Sequence, residues 1–487
     1  MPAKEFIVAI ELGSTKITGI AGNKRSDGSI NVLALAEEDS TPGIRKGMVY
    51  NIDKTSQILT NVVKKLKQQL KSEISQVYVG VGGQSIRSVK NEVVKQLAEE
   101  ETITADMINE IMDSNRNMTY PDQEILDAIT QEYKVGAQTQ LDPVGIQAKR
   151  IEGRFLNILQ RKSFYRSLNK CFDTANIAIA EMFLAPLAMA ESVLTENELR
   201  GGCVLIDLGA ETTTVMVYFK NILRHLVVIP IGQNNITKDI ASLQMEENDA
   251  ENVKLKYASA YTDINDIDDD QKVPVTPEMS IDNKALIDVV EARVQEIVEN
   301  AWYQVPGEYK NKLLGGMVLT GGGSNMKSIK HAFRNHTHMD KIRIASTVKQ
   351  SITSSIDEVN ENKGMMCTAI GLLALGDMNC AGMPANKRSG ELFDNEVQQT
   401  AEKPQATTPQ PGRVLSAAER KALEDKQLRE KQQAILDQQR RELEEMRLQA
   451  EKEKLAEENK KSKKGRFSKF FDSLKDFGNK VIREEED

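Results

Sequence analysis

A short pattern that ends a strand and begins a tight turn occurs twice in this chain. The first copy, from Ile10 to Lys16, reads Ile-Glu-Leu-Gly-Ser-Thr-Lys, and the second, from Ile206 to Thr212, reads Ile-Asp-Leu-Gly-Ala-Glu-Thr. In each copy β-forming residues lead into the turn and a hydroxyl-rich strand leaves it, which predicts two β-hairpins with polar tips. Equivalent hairpins in two halves of one chain indicate a duplicated fold of two lobes.

The residues at the two tips predict a phosphate site and a cation site in each half. A glycine lets the backbone approach a ligand closely, and neighbouring N–H groups and hydroxyls can then hold phosphate oxygens. The acid before each glycine suits a divalent cation, usually bound through water. Either tip alone is equally consistent with an ordinary turn, but the pair indicates a nucleotide clamped between two lobes. The predicted phosphate-binding residues are Gly13, Ser14, Thr15, Lys16, Gly209, Thr212 and Thr213, and the predicted Mg²⁺ residues are Glu11 and Asp207, the latter also positioning water.

A third element follows about 110 residues after the second hairpin. The apolar strand that begins at Met317 breaks into three glycines and continues as a helix-like stretch, Lys327 to Arg334, with Ser324 and Asn325 as good N-cap types. Such a turn lets a flat base or sugar lie against bare backbone. The residues predicted to bind the nucleotide here are Gly321, Gly322, Gly323, Ser324 and Met326.

The order and spacing of these elements resemble the actin-like ATPase superfamily, and the flanking segments resemble the FtsA family of bacterial cell-division proteins. Three segments carry the closer resemblance: Val77–Gly83, Leu141–Gly145 and Pro230–Ile240. The similarity covers roughly Phe6 to Leu375. It implies an α/β, actin-like, duplicated two-lobe fold with an inserted α+β subdomain, with ATP and Mg²⁺ as cofactors.

The resemblance also sets expected boundaries. Lobe I is predicted at 1–81 and 165–200, the inserted subdomain at 82–164, and lobe II at 201–235 and 311–376, with a subdomain of lobe II, called IIB, at 236–310. The periodicity of apolar residues predicts helices at Lys54–Lys71, Thr174–Leu194 and Ile281–Asn300. Within the insert, a strand at Ile86–Val94 and a helix after Thr104 are predicted to be followed by short strands.

One departure from the superfamily pattern concerns hydrolysis. Many actin-like ATPases carry a Glu-Pro pair that orients the attacking water, whereas this chain has Ala185 and Pro186. Alanine cannot polarise water, and Glu181, one helical turn earlier, could substitute only by pointing into the cleft. The sequence therefore predicts ATP binding with weak ATPase activity at most.

Glu251 and Lys254 lie three residues apart, which places an acid and a base on one face of a predicted helix. A surface ion pair is one interpretation. The other comes from the resemblance, because in actin-like proteins this helix lines the adenosine side, where an acid meets ribose hydroxyls and a lysine meets the base.

The C-terminal part changes character after about Gly376. Prolines among polar residues predict a flexible linker at 377–415, and a charged segment at 416–464 predicts a helical spacer, either a single helix or a coiled coil. From 465 to 483 an apolar stripe with surrounding bases predicts a helix that lies in an anionic membrane surface. Docking on the protein's own core and nucleic-acid binding are less favoured alternatives. The predicted membrane residues are Phe467, Phe470, Phe471, Leu474, Phe477, Lys463, Lys464, Arg466 and Lys469.

Composition and resemblance together predict where the protein acts. The net charge is −8, the four cysteines lack C-x-x-C spacing, and no leader or apolar run of transmembrane length is found, so a peripheral protein on the cytoplasmic face of the membrane at the division site is expected. The resemblance implies self-association into filaments and recruitment of later division proteins. It also implies binding of the tail of the tubulin-like FtsZ to IIB, where Arg293 could face an anion. A small-molecule kinase of the sugar-kinase branch is the alternative, because it shares the hairpins.

Overall fold

The computed structural model describes residues 5–267, 270–346, 348–361, 364–382 and 412–414. The predicted charged spacer and membrane helix therefore lie outside the described residues. The strands are β1 (Ile7–Leu12), β2 (Lys16–Lys24), β3 (Ile30–Asp39), β4 (Ile44–Arg45), β5 (Met48–Val49), β6 (Val77–Val81), β7 (Arg87–Thr102), β8 (Gln123–Val135), β9 (Gln138–Gln140), β10 (Gln147–Arg161), β11 (Ile179–Leu184), β12 (Cys203–Leu208), β13 (Thr213–Phe219), β14 (Ile222–Ile229), β15 (Lys272–Thr276), β16 (Met279–Asp282), β17 (Gly316–Thr320), β18 (Ile342–Ile344), β19 (Ile352–Ser354) and β20 (Arg413–Val414).

Helices cover the faces of the sheets. They are α1 (Ile52–Leu70), α2 (Ala105–Arg116), α3 (Lys162–Thr174), α4 (Ala185–Val193), α5 (Glu196–Gly201), α6 (Gln233–Ala241), α7 (Glu247–Tyr257), α8 (Asn283–Tyr303), α9 (Gly307–Lys310), α10 (Ile329–Thr337), α11 (Asp357–Asn360) and α12 (Cys367–Leu375), with short 3₁₀ turns at Ile264–Asp266 and Gly322–Asn325. None of the helices in the described part of the chain is long and apolar enough to cross a membrane.

Two sheets form the two lobes, and they are built in the same way. In the seven-stranded sheet of lobe I, β1 pairs with β2 antiparallel and with β6 parallel; in the nine-stranded sheet, β12 pairs with β13 antiparallel and with β17 parallel. Each lobe has its own large apolar core. The expected duplicated two-lobe α/β fold is confirmed.

Helix α1 illustrates how sequence determines an element that packs on lobe I. The side chain of Asn51 accepts a hydrogen bond from the N–H of Lys54, which satisfies one donor of the first turn. Leu59, Val62 and Leu66 recur at helical spacing and are fully buried. Each such side chain stabilises the fold by about 1.5–3 kcal/mol when it leaves water. The predicted boundaries, Lys54–Lys71, agree with the observed helix to within two residues.

The prediction of one helix over Thr174–Leu194 is wrong. Residues 179–184 form β11, which pairs in parallel with β6 inside the sheet of lobe I, and only from Ala185 does the chain become helical. The apolar run is buried from both sides, so its hydrophobicity does not distinguish helix from strand. The proline that follows Ala185 occupies the first turn of α4, where its missing N–H costs nothing.

The inserted subdomain differs from the prediction in its strands. Two of them are long, with 13 residues in β8 and 15 in β10, and together with β7 and the short β9 they form a four-stranded layer. This layer continues the sheet of lobe II, since β7 follows β14 in the strand order. Helix α2 covers it over a small separate core. Pairing with a strand more than 100 residues away leaves no local pattern in the sequence.

Two boundaries also change. Residues 352–375, predicted within lobe II, place β19 beside β3 and α12 in the core of lobe I, because α12 is apolar on all sides and fits between neighbouring elements. The linker predicted at 377–415 includes ordered pieces: Cys380 is fully buried and its N–H donates to the carbonyl of Phe6, and Arg413–Val414 is strand β20.

Candidate functional site: a cleft between two equivalent hairpin tips

The two hairpin tips have the same turn. The N–H of Gly13 donates to the carbonyl of Lys16, and the N–H of Gly209 donates to the carbonyl of Thr212, each at 3.0 Å. A Cβ at Gly13 or Gly209 would lie 2.7 or 2.8 Å from the same carbonyl oxygen that closes the turn. Glycine is therefore required at both tips for the same steric reason. The duplication inferred from seven residues extends to individual hydrogen bonds.

The acids that precede the tips occupy matching positions. Glu11 on β1 lies opposite Thr18 on β2, and Asp207 on β12 lies opposite Thr214 on β13. Both acids line one cleft between the lobes. Burial, together with the nearby negative charge of Asp207, raises the pKa of Glu11 to about 7, and burial raises the pKa of Asp207 to about 6. Two like charges are thus directed at a common space.

These carboxyl groups fit a magnesium ion that also binds a phosphate ligand. Mg²⁺ commonly uses one or two carboxylates and completes its shell with water and phosphate oxygens, so it does not need a protein cage. No group of three His, Cys, Asp or Glu side chains suited to a metal is found among the described residues. Glu11 and Asp207 would hold the ion, and the ion would neutralise phosphate charge.

The third predicted element borders the same cleft. Strand β17 ends at Thr320, and Gly321 follows with φ +81°. A Cβ at Gly321 would lie 2.2 Å from Oδ1 of Asp207, so the bare backbone is what leaves room for that carboxylate. Gly321, Gly322, Gly323 and Met326 line the cleft.

Ser324 and Thr213 do not line the cleft, although both were predicted to bind the nucleotide. The hydroxyl of Ser324 is buried and donates to the carbonyl of Gly321, within a 3₁₀ turn rather than as the N-cap of α10. The hydroxyl of Thr213 donates to the carbonyl of Ile231. Both residues shape the loops that border the cleft. The residue after Thr213, Thr214, faces the cleft instead, because side chains alternate along a strand.

Glu251 and Lys254 combine the two interpretations of their spacing. The Lys254 ammonium lies 2.7 Å from the Glu251 carboxylate and donates to the hydroxyl of Thr237 at 2.8 Å. Lys254 is 7% exposed, and both residues line the cleft. The ion pair therefore forms, and it also places the carboxylate of Glu251 and the ammonium of Lys254 at the wall of the cleft.

The cleft has a volume of about 1180 Å³ and contains residues that sequence reasoning missed. Gly80, within β6, and Gly82 and Gly83, just after it, line the cleft from lobe I. Strand β6 pairs with β1 as β17 pairs with β12, and Gly80 lies beside Glu11 as Thr320 lies beside Asp207, so Gly82 and Gly83 are the lobe I equivalents of Gly322 and Gly323. An apolar strand followed by glycines occurs in both lobes, and this repeat could have predicted the lobe I glycines from the sequence.

A backbone contact crosses the mouth of the cleft. The N–H of Lys46, in lobe I, donates to the carboxylate of Glu211 at the tip of the second hairpin, at 2.5 Å. The adjacent N–H of Gly47 donates to the hydroxyl of Ser14 at 2.9 Å. The side chain of Glu211 therefore joins the two lobes at this point.

Glu181 cannot replace the missing water-orienting glutamate in this structure. It lies on β11, not on a helix, and its carboxylate contacts the guanidinium of Arg413 at 2.7 Å, away from the residues that line the cleft. Ala185 and Pro186 do line the cleft, so a methyl group occupies the wall where a carboxylate was expected. The guanidinium of Arg293 is likewise paired, with Asp239 and Glu296.

Asp207→Asn should change how stability depends on pH in the absence of metal and nucleotide. The neutral Asp207 carboxyl is favoured in the folded state, so its contribution is complete below its ordinary pKa of 3.8 and is lost as pH rises through about 6. Asparagine cannot ionise. We expect the variant to be more stable than the parent at pH 8 by about 1–3 kcal/mol, with little of that difference at pH 4. Denaturant titrations with a chelator measure this, with exposed Asp340→Asn as control. An equal gain at both pH values would contradict it.

Two family models match the chain. The model described as Cell division protein FtsA matches residues 204–371, and the model described as SHS2 domain inserted in FTSA matches residues 83–159. The cell division protein FtsA of Neisseria meningitidis serogroup B is 32% identical over 333 residues, which are 67% of this chain and 80% of that protein. The chain belongs to the FtsA family.

Further FtsA relatives agree. The protein of Porphyromonas gingivalis is 30% identical over 67% of this chain and 69% of its own length, and that of Escherichia coli is 27% identical over 77% and 90%. Among solved structures, the PilM-PilN type IV pilus biogenesis complex has a chain that superposes with a TM-score of 0.54 at 14% identity, covering 77% of this chain and 100% of that chain, which shows a shared fold alone. Membership in the FtsA family makes the chain a cell-division protein with an actin-like fold and an inserted SHS2 subdomain.

Proposed function

We propose that this FtsA-family chain binds ATP with Mg²⁺ in the cleft between its lobes. The observation that carries the proposal is the matched pair of hairpin tips, each closed by the same hydrogen bond and each preceded by an acid that faces the cleft. The N–H groups and hydroxyls of Gly13–Thr15, Gly209 and Thr212 would hold phosphate oxygens. Lys16, whose ammonium lies 2.5 Å from Glu37, would add a positive charge.

The adenosine part would lie on the lobe II side. Glu251 would accept from ribose hydroxyls and Lys254 would donate to the base, while Gly321–Gly323 and Met326 provide a flat surface of backbone and thioether. This arrangement gives each end of the nucleotide its own set of groups. The distance between the two lobes would then depend on which ligand lies between them.

Hydrolysis is proposed to be slow. The wall at Ala185 offers no carboxylate to orient water, and Glu181 contacts Arg413 instead. A turnover of many per second would refute this. Family membership also favours a division protein over the sugar kinase, and ATP consumption that is unchanged by added sugars would support that preference.

The wider role proposed for the chain is that of a filament-forming adaptor on the cytoplasmic face of the membrane at the division site. Residues 465–483 would anchor it to anionic lipid, IIB would receive the C-terminal tail of FtsZ, and the assembled filament would recruit later division proteins. The anchor lies outside the described residues, so its support is the apolar stripe and the lysines in the sequence. Many weakly anchored copies joined in a filament would bind more firmly than one.

Self-association is proposed to use the inserted subdomain, and a surface variant should reveal it. Leu141 and Val144 lie in the loop between β9 and β10 and are 64% and 47% exposed. Replacing both with Glu should leave ATP binding intact and reduce ATP-favoured polymers at least about tenfold, because two charges would enter a contact. Sedimentation and electron microscopy measure the polymers.

The control for this variant is Leu33→Glu, a partly exposed apolar residue on β3 of lobe I. A point variant is preferable to deleting residues 82–164, since Ile86, Leu126 and Ile158 of that segment contribute to the core of lobe I. Normal polymers from the Leu141/Val144 variant would remove this loop from the proposed contact.

A further inference from the structure

A short segment near the C-terminal end of the described chain returns to lobe I and completes its sheet. Arg413 and Val414 form β20, which pairs antiparallel with β11 through Phe183 and Met182. The N–H of Leu184 also donates to the carbonyl of Gly412 at 2.8 Å. We call residues 412–414 the strap.

The strap is built into the body by burial as well as by strand pairing. Val414 is 2% exposed and belongs to the apolar core of lobe I. Without the strap, β11 would be an edge strand with unpaired backbone groups, and such edges readily accept another strand. The guanidinium of Arg413 lies 2.7 Å from the carboxylate of Glu181, on the neighbouring strand β11.

The strap also contacts the inserted subdomain. The N–H of Gly412 donates to Oδ2 of Asp127, on β8, at 2.8 Å, and the other oxygen of Asp127 accepts from the N–H of Ala128. A single residue thus connects the edge of lobe I, through its carbonyl, with the insert, through its N–H. Gly412 stands at the junction of the two.

The position of Gly412 admits no other residue without strain. Its φ is +87°, in the region that L residues rarely adopt, and a Cβ there would lie 2.9 Å from Cδ1 of Leu187 on α4. Backbone conformation, core burial, an ion pair and two backbone hydrogen bonds therefore specify the same docked arrangement.

We propose that residues 412–414 are a strand that binds in cis to the outer edge of β11, holding the insert against lobe I and fixing the point from which residues 415–487 leave the body. Recognition is by strand addition, in which main-chain hydrogen bonds supply affinity and the alternate side chains Arg413 and Val414 supply selectivity.

Hydrogen exchange in the full chain tests the strap. In the parent, the amide of Leu184 should be protected. In Gly412→Val, its exchange should accelerate at least about tenfold, with a smaller increase around Ala128, while the amides of β1 and β12 remain unchanged. Gly390→Val, the same substitution in the segment that precedes the strap, is the control and should match the parent.

A charge-swap pair gives a second test that does not depend on Gly412. Arg413→Glu faces the like charge of Glu181 and should expose the Leu184 amide, and adding Glu181→Arg should restore its protection. Unchanged exchange of the Leu184 amide in both Gly412→Val and Arg413→Glu would overturn the proposal. If Gly412→Val does not fold, the charge swap decides: failure of Glu181→Arg to restore protection in Arg413→Glu would also overturn it. Protection of Leu184 that rises with protein concentration would assign the strand to a second copy and overturn the cis arrangement.

Discussion

Asp207→Ala should remove the dependence of ATP binding on Mg²⁺. The parent is expected to bind ATP more tightly with Mg²⁺ than with a chelator, because the Asp207 carboxylate and the phosphates share the ion. Losing a charged partner of this kind costs about 1.5–3 kcal/mol, which corresponds to about a 10- to 100-fold weaker affinity. Titration calorimetry or a fluorescent ATP analogue measures the affinity with and without Mg²⁺.

A matched acid shows whether position matters. Glu181→Ala removes a carboxylate from lobe I that contacts Arg413 and does not line the cleft, so the affinity for Mg-ATP should stay unchanged. If Asp207→Ala keeps the full Mg²⁺ effect, the assignment of Asp207 fails. If Glu181→Ala weakens ATP binding as strongly as Asp207→Ala does, the position of the carboxylate does not matter and the cleft is not supported as the ATP site.

Phe470→Glu combined with Phe471→Glu should prevent vesicle binding by the full chain. Each deeply buried phenylalanine contributes about 1.5–3 kcal/mol, so losing two predicts at least about a 100-fold weaker partition into anionic vesicles. Salt should weaken the parent only in part, since screening reduces attraction between the lysines and lipid but leaves apolar burial. Co-sedimentation with vesicles measures binding, and ATP affinity should stay at the parental value.

The control adds the same two charges outside the apolar stripe of the predicted helix. Ser468 and Ser473 lie outside the apolar stripe, about 40–60° beyond its two edges at 100° per residue. Ser468→Glu with Ser473→Glu should therefore retain most of the binding. If the phenylalanine variant pellets with vesicles as well as the parent does, the tail is not the anchor and the alternative of docking on the body is favoured.

Local patterns predicted the parts of the fold that local interactions determine. Each hairpin tip needs a glycine, because a Cβ there would clash with the carbonyl that closes the turn, and an acid two residues before that glycine. Both requirements are visible within seven residues, so the repeat was predictable. Helix α1 was predicted to within two residues from its apolar spacing. The amphipathic helix predicted at Ile281–Asn300 is observed as Asn283–Tyr303, with Ile281 in β16 instead.

Contacts between distant parts of the chain were not predictable in this way. Strand β11 was read as helix because residues buried on both faces have no period of two. The placement of α12 in lobe I, the joining of the insert to β14 and the return of Arg413–Val414 to β11 each depend on a partner far away in sequence. Within the cleft, Gly80–Gly83 were missed because they belong to a second copy of the strand–glycine turn that only the parallel pairing of β6 with β1 places beside the tips.

Sedimentation of the full chain with and without Mg-ATP, each with and without anionic vesicles, tests the central claim most directly. The claim is that a nucleotide held between the two tips favours assembly while the tail holds the assembly on a membrane. We predict little pelleting without either addition, polymers with Mg-ATP alone, and the largest pelleted fraction with both. In Asp207→Ala the increase caused by Mg-ATP should be lost with and without vesicles, while binding to vesicles through the tail remains. Pelleting that is identical with and without ATP, in the parent and in Asp207→Ala alike, would contradict the account.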